Sequence, residues 1–144
     1  MKPEIDLSTF HTEMKIRIDW SETDLFGHVN NVMIMKYIQA SRVDYLDRIG
    51  LMTSFVENKT GPVLASTTCE FRKPLHYPGN IVVKTKVNSI KNTSFELMHV
   101  ILGNDNEIVS VGYDILVTYD YGLNSKIQIP SWVRNNIEKT ESPL

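Results

Sequence analysis

The sequence is poor in the residues that build disulfide frameworks and metal centres. Cys69 is the only cysteine among 144 residues, which rules out an internal disulfide and a zinc site made of cysteines. The four histidines lack the spacing of metal ligands. We therefore expect no metal and no other cofactor, and nothing in the cysteine content points to an oxidising compartment.

Long apolar segments and a strong charge of either sign are also missing. No stretch approaches the roughly 20 apolar residues of a membrane-spanning helix, and acidic residues stand near the N-terminus where a signal peptide is apolar. A formal net charge of −2 provides no basic field for nucleic acid or anionic lipid. These absences predict a cytoplasmic protein that binds neither nucleic acid nor membranes. No glycine-rich phosphate loop and no G-x-S-x-G nucleophile motif occurs.

The pattern of apolar residues indicates one α+β domain. The length fits a single domain, residues 1–144, with a short frayed tail from about residue 140. Strict alternation from Glu13 to Trp20 predicts a half-buried first strand with Trp20 on its apolar side. Four later strands and a terminal helix follow from similar patterns and from the turn residues between them. Their expected ranges are Pro62 to Arg72, Asn80 to Lys91, Ser94 to Gly103, Glu107 to Asp120 and, for the helix, Pro130 to Lys139.

Between the first two strands, the segment from about Asn31 to Ile49 has the pattern of a helix. Asn30 or Asn31 can cap its start, and the glycine that follows Ile49 can end it. Its broad apolar face predicts a central, buried helix. Arg42 falls on that face, and a buried guanidinium needs a partner, so pairing with a carboxylate such as Asp114 or with backbone carbonyls is favoured over a substrate role. The residues that form the apolar face of this helix are Met33, Ile34, Met35, Tyr37, Ile38, Tyr45, Leu46 and Ile49.

The segment that joins the first strand to this helix carries the most specific motif. It reads Thr23-Asp24-Leu25-Phe26-Gly27-His28-Val29-Asn30-Asn31. This run, followed by a helix with Tyr37 and Ala40-Ser41-Arg42, closely resembles the hotdog-fold thioesterases of the 4-hydroxybenzoyl-CoA thioesterase type. The likeness extends over nearly the whole chain, including Phe71-Arg72-Lys73-Pro74-Leu75, Pro78-Gly79-Asn80 and Val117-Thr118-Tyr119-Asp120.

The resemblance implies a fold, an assembly and a reaction. The fold is the hotdog fold, a curved antiparallel β-sheet wrapped around one long central α-helix. The assembly is a homodimer or homotetramer with each active site at a subunit boundary. The reaction is hydrolysis of an acyl-CoA thioester to a free acid and a thiol, so coenzyme A is part of the substrate and is not a cofactor.

Asp24 stands at the position of the family's catalytic carboxylate, which implies a role as nucleophile or general base. An aspartate near its reference pKa of about 4 is ionised at neutral pH and suits both roles. The start of the helix supplies unpaired amides and a favourable dipole end for an oxyanion. The candidate donors are the amides of residues 27–32, among which the sequence does not choose. The competing interpretation makes Asp24 a turn residue whose side chain binds a nearby backbone amide.

Other candidate residues surround Asp24. His28 either orients the carboxylate, contacts the substrate or forms a structural hydrogen bond, and Asn30 and Asn31 also fit as helix caps. Some members of the wider family carry a histidine about seven residues after the aspartate, where this chain has Asn31. The predicted catalytic residues are Asp24, Gly27 and His28, and the predicted substrate-binding residues are Val29, Asn30, Asn31, Thr67 and Lys73.

Two other functions are open on this fold. A hydratase or dehydratase acting on acyl thioesters needs an acid–base pair that includes a histidine, and His28 is the only candidate near Asp24. A nonenzymatic acyl-CoA-binding module has no use for an intact Asp24, which disfavours that function. The sequence leaves open the acyl group, the choice between coenzyme A and acyl-carrier protein, and the choice between covalent and direct water attack.

Overall fold

The structure is a computed structural model that describes residues 4–143. Within that range, the chain forms one antiparallel sheet, three α-helices and two short 3₁₀ turns. The strands are β1 (Thr12–Arg17), β2 (Thr60–Phe71), β3 (Asn80–Ile90), β4 (Ser94–Leu102), β5 (Ile108–Asp120) and β6 (Ser125–Lys126). The helices are α1 (Asn31–Arg48), α2 (Leu51–Asn58) and α3 (Ser131–Glu141), and the 3₁₀ turns are Leu7–Thr9 and Trp20–Glu22.

The sheet curls around helix α1. Its strand order is β1-β3-β4-β5-β2, all neighbours are antiparallel, and β6 pairs with β5. Short connections join β3 to β4 and β4 to β5 as hairpins, as the turn residues predict. The curled sheet with a helix packed on it is the hotdog fold, so the predicted fold is confirmed.

Helix α1 packs with its apolar face directly against the sheet. Ile38 and Tyr45 are completely buried, whereas Met35, which the pattern places on the same face, is half-buried. The helix lies so close to β5 that a Cβ atom added to Gly112 would come within 2.7 Å of Ile38 Cδ1. Glycine at this position therefore allows the close contact between helix and sheet.

The structure corrects the predicted course of the chain on both sides of α1. The first strand ends at Arg17 because Asp19 caps a 3₁₀ turn, and Trp20 is 72% exposed, so its predicted place on the buried side is wrong. Helix α1 ends at Arg48, one residue before the predicted Ile49. Gly50, which follows Ile49, adopts a φ of +86°. Helix α2, which was not predicted, begins immediately afterwards. Helix α3 continues two residues past the predicted Lys139.

Arg42 pairs with Asp114, one of the two kinds of partner that the sequence left open. Arg42 Nη1 lies 3.1 Å from Asp114 Oδ2, and His99 Nε2 lies 2.7 Å from the same oxygen. Asp114 and His99 are fully buried. Burial raises the pKa of Asp114, but the hydrogen bond from His99 and the nearby cations outweigh burial and hold the pKa below its usual range. The stabilisation that this carboxylate gives is therefore present at neutral pH and is lost as the pH falls through the folded-state pKa.

We expect Arg42→Met to lower the free energy of unfolding by about 3 kcal/mol, because a buried carboxylate then loses its permanent cation. The matched control is Arg48→Met, which breaks an exposed pair with Asp44 on the same helix and should cost less than about 1 kcal/mol. Urea unfolding of both variants measures the difference. Equal losses would contradict a structural role for the buried pair.

Candidate active site

The predicted catalytic residue Asp24 lies at the start of a tight turn. Thr23 and Val29 form an isolated β-bridge, and Asp24 N–H donates to the His28 carbonyl at 2.8 Å. Asp24 Oδ1 accepts hydrogen bonds from Phe26 N–H at 2.9 Å and His28 N–H at 3.3 Å. One carboxylate oxygen of Asp24 therefore stabilises the turn, as the competing interpretation predicts. Asp24 Oδ2 has no hydrogen-bond partner within residues 4–143, so it is available to a substrate.

The start of helix α1 follows this turn. Asn30 caps the helix, since its side chain accepts from Val32 N–H at 2.8 Å and its carbonyl accepts from Met33 N–H at 2.8 Å. Of the two asparagines predicted as possible caps, Asn30 is the cap. Its side-chain oxygen is therefore occupied by the capping hydrogen bond.

The backbone amides of residues 27–32 are the candidate oxyanion donors, and they differ in whether they already donate a hydrogen bond within the protein. All but one donate to other protein atoms: Gly27 to Asp24 O, His28 to Asp24 Oδ1, Val29 to Leu75 O, Asn30 to Glu22 O and Val32 to Asn30 Oδ1. Asn31 N–H belongs to the first helical residue, which has no acceptor within its own helix. In the part of the chain that the structure describes, it is the one unpaired donor of this stretch.

Glu22 anchors the approach to the turn and was not identified from the sequence. Its carboxylate is buried and accepts from Tyr37 Oη at 2.7 Å, Asp19 N–H at 2.8 Å and Lys36 Nζ at 3.2 Å. Burial raises the pKa of Glu22, but these three donors outweigh burial and hold the pKa below its usual range. The sequence signal that could have found this residue is the Asp19-x-x-Glu22 capping box.

A cavity of about 610 Å³ opens between the turn and the segment that follows β2. Six predicted residues line it: Asp24, His28, Val29, Asn30, Asn31 and Lys73. Gly27 and Thr67 do not line it; Thr67 lies opposite Asp114 on the sheet. Four apolar residues and one hydroxyl that were not predicted complete much of the wall: Phe26, Ile34, Phe71, Leu75 and Ser110. The sequence did not assign these residues to a site, because the turn, α1, the end of β2, the loop after it and β5 come together only in the folded chain.

Two basic residues stand on the far wall of this cavity. Arg72 and Lys73 both donate their backbone N–H groups to the Val109 carbonyl, at 2.9 and 3.1 Å. The Arg72 side chain is paired with Glu70 at 2.6 Å. Lys73 forms no salt bridge within residues 4–143, which leaves its ammonium group free for an anionic ligand.

Other chemistries find little support near this cavity. Burial raises the pKa of the Cys69 thiol to about 11, so its sulfur is protonated at neutral pH and is a poor nucleophile. Over residues 4–143, no group of three or more potential metal ligands comes together.

In the same range, none of the helices has the length and apolar character needed to cross a bilayer.

The profile of the thioesterase-like superfamily matches residues 18–137, which include the turn, helix α1 and the sheet from β2 onward. The chain belongs to this superfamily. The resemblance inferred from the Asp24 motif is thereby confirmed at the level of the family.

Individual relatives of this thioesterase-like chain include plant and bacterial proteins. It is 30% identical over 132 residues to the chloroplastic acyl-acyl carrier protein thioesterase ATL3 of Arabidopsis thaliana, a match covering 90% of this chain and 68% of that protein. It is 31% identical over 84 residues to the uncharacterized protein YsmA of Bacillus subtilis. That match covers 58% of this chain and 55% of YsmA, so the chain spans about half the length of that relative.

Solved structures share the fold of this thioesterase-like chain. One is a thioesterase from Thermus thermophilus in complex with coenzyme A and zinc. It superposes with a TM-score of 0.81 at 21% sequence identity, covering 94% of this chain and 98% of the other. The likeness supports the hotdog fold independently of the motif around Asp24.

Proposed function

We propose that this protein hydrolyses acyl-CoA thioesters to a free acid and a thiol, with Asp24 as the catalytic carboxylate. One observation carries the proposal: Asp24, with one unengaged carboxylate oxygen, and Asn31, with an unpaired helix N-terminal amide, line the same cavity. A carbonyl group placed between them would meet a negative oxygen on one side and a hydrogen-bond donor on the other. Membership of the thioesterase-like superfamily supports the same reaction.

The chemistry follows from these two groups. A thioester carbonyl receives little resonance donation from sulfur, so it accepts attack by Asp24 Oδ2 or by a water that Asp24 deprotonates. The carbonyl oxygen becomes negative in the transition state and is stabilised by Asn31 N–H at the positive end of the α1 dipole. The thiolate then leaves and takes up a proton to give the thiol. After attack by Asp24, one water hydrolyses the resulting anhydride to the free acid and restores the carboxylate, whereas after attack by water the acid is already formed. The two amides bound to Asp24 Oδ1 orient the carboxylate, leaving Oδ2 for the reaction.

The surrounding residues suggest how the substrate is held. Lys73 is available for a phosphate of coenzyme A, while Val29 and Asn30 contribute to the cavity wall. The Thermus thermophilus structure contains coenzyme A and ATL3 is named for acyl-acyl carrier protein, so the acyl group of the proposed substrate is carried by coenzyme A or by acyl-carrier protein. A contact between Thr67 and the substrate stays a prediction, since Thr67 lies outside the cavity wall.

We propose that a second copy of the chain covers strand β2. This strand is an edge of the sheet, and five consecutive residues, 64–68, are exposed in its middle. Edge strands present unpaired backbone groups that readily pair with another chain. A homodimer formed at this edge would extend the sheet and bring a second subunit close to the cavity.

Thiol release from a panel of acyl-CoA and acyl-carrier protein substrates tests the proposed reaction. We expect release of free thiol and free acid in equal amounts, with a preference that identifies the acyl group and the carrier. Loss of a carbon–carbon double bond without thiol release would identify a hydratase instead. Tight binding with neither reaction would identify a binding module, and both of these results would overturn the proposal.

A further inference from the structure

His76 reaches the candidate catalytic turn from the loop that joins β2 to β3. Its Nδ1 lies 3.2 Å from the Gly27 carbonyl oxygen. Because a carbonyl oxygen can only accept, Nδ1 carries the hydrogen in this contact. The ring of His76 also meets the ring of His28 edge to face, with centroids 4.8 Å apart and planes at 79°. No motif in the sequence points to this residue.

The tip of the turn has little packing of its own. Leu25 is 96% exposed and Phe26 is 79% exposed. Gly27 has a φ of +80°, and no atom beyond the adjacent residues lies within 4 Å of the position that a Cβ would take there. Hydrogen bonds must therefore hold the tip in place. Within the described residues, His76 is the one side chain from outside the turn that hydrogen-bonds to residues 24–28.

The loop that carries His76 is itself firmly attached. The neighbouring Leu75 is buried in the core, and its carbonyl accepts from Val29 N–H at 2.7 Å. Farther along, the Asn104 side chain donates to Pro78 O at 3.1 Å and accepts from Asn80 N–H at 3.0 Å. A loop fixed at these points gives His76 a defined position from which it can hold the turn.

We propose that His76 is a positioning residue for the active site. It holds the Gly27 peptide through its Nδ1 hydrogen bond, so that Asp24 Oδ2 and Asn31 N–H keep the spacing a thioester carbonyl requires. The catalytic consequence rests on the proposed function, whereas the effect on the turn does not. Misplacing reacting groups by about 1 Å can cost roughly a hundredfold in rate, so a side chain that never touches substrate can still control turnover.

Three substitutions separate the two contacts of His76. His76→Ala removes both the hydrogen bond and the ring contact. His76→Asn keeps a donor, because the asparagine Nδ2 is attached to Cγ like the histidine Nδ1. His76→Phe keeps a ring against His28 but has no donor. The control is His11→Ala, since His11 is an exposed histidine before β1 and distant in sequence from the turn.

Two measurements on the full chain test the proposal. Hydrogen exchange reports on the turn: the amides of residues 26–28 should exchange several-fold faster in His76→Ala, while those of the sheet stay unchanged. Steady-state kinetics report on catalysis: kcat should fall about tenfold in His76→Ala with little change in KM, as expected when reacting groups lose alignment. His76→Asn should restore both quantities, His76→Phe should restore neither, and His11→Ala should match the native protein.

The outcomes distinguish this inference from the proposed function. Native exchange at residues 26–28 in His76→Ala would overturn the positioning role whatever the enzyme activity. Faster exchange with an unchanged kcat would overturn its catalytic importance, and failure of His76→Asn to rescue would overturn the hydrogen bond as the cause. A native protein that hydrolyses no thioester would overturn the proposed function, while the exchange measurements would still decide whether His76 holds the turn.

Discussion

Asp24→Asn is expected to abolish most thiol release while leaving the protein as stable as the native chain. An asparagine Oδ1 can still accept the hydrogen bonds of Phe26 N–H and His28 N–H, so the turn is preserved. Its amide group carries no charge, so it can act neither as nucleophile nor as base. The loss of a positioned base typically costs about 10²–10⁴-fold in rate, and thiol-release assays at saturating substrate measure it as a fall in kcat.

Asp24→Ala is the comparison that separates chemistry from turn formation. It removes the same charge and also both hydrogen bonds of Oδ1, each worth about 1 kcal/mol. We expect the same loss of activity as in Asp24→Asn, together with a lower free energy of unfolding. If Asp24→Asn kept native activity, Asp24 would be a turn residue only.

The second large effect is expected for Asn31→Pro, which deletes the proposed oxyanion donor. Proline has no N–H group, yet it is well tolerated at the first position of a helix, where that hydrogen has no acceptor within the helix. The preceding Asn30 has a φ of −62° and a ψ of 142°, which suits a residue before proline. The helix should therefore form normally, while kcat falls by about 10²–10³-fold, the usual effect of one lost oxyanion donor.

Asn31→Ala provides the matched control for this substitution. It removes the same side chain but keeps the backbone N–H, so its kcat should stay close to that of the native protein. Circular dichroism and urea unfolding establish that both variants are folded. Native-like activity in both Asn31→Pro and Asn31→Ala would assign the oxyanion to another donor, and an equally large loss in both would give the role to the Asn31 side chain.

Much of the fold was predictable because its elements have strong local patterns. The alternation along β5 and the apolar face of α1 gave boundaries within a residue or two of those observed. The prediction failed at Trp20, where a capping box led by Asp19 turns the chain out of the strand. It also missed α2, because the glycine that ends α1 was interpreted only as a terminator.

The site was predicted only in part. Asp24 and Asn30 stand in one short motif, and their turn and cap hydrogen bonds join atoms two to four residues apart. Which amide stays free depends on acceptors elsewhere: the Val29 amide is paired by Leu75, and the Asn30 amide by Glu22. No local pattern reports such pairings.

The sequence by itself determined the order of all the main elements except α2 and limited the cap of α1 to Asn30 or Asn31, because propensity, periodicity and capping act over a few residues. Asp24 became the catalytic candidate through the resemblance of its motif to the hotdog-fold thioesterases. The tertiary structure alone decided that Asn31 carries the unpaired donor and that His76 supports the turn. It also decided that Phe71 and Ser110 help to close the cavity. Those features require contacts between segments far apart in the chain, and such contacts exist only once the sheet has curled around the helix.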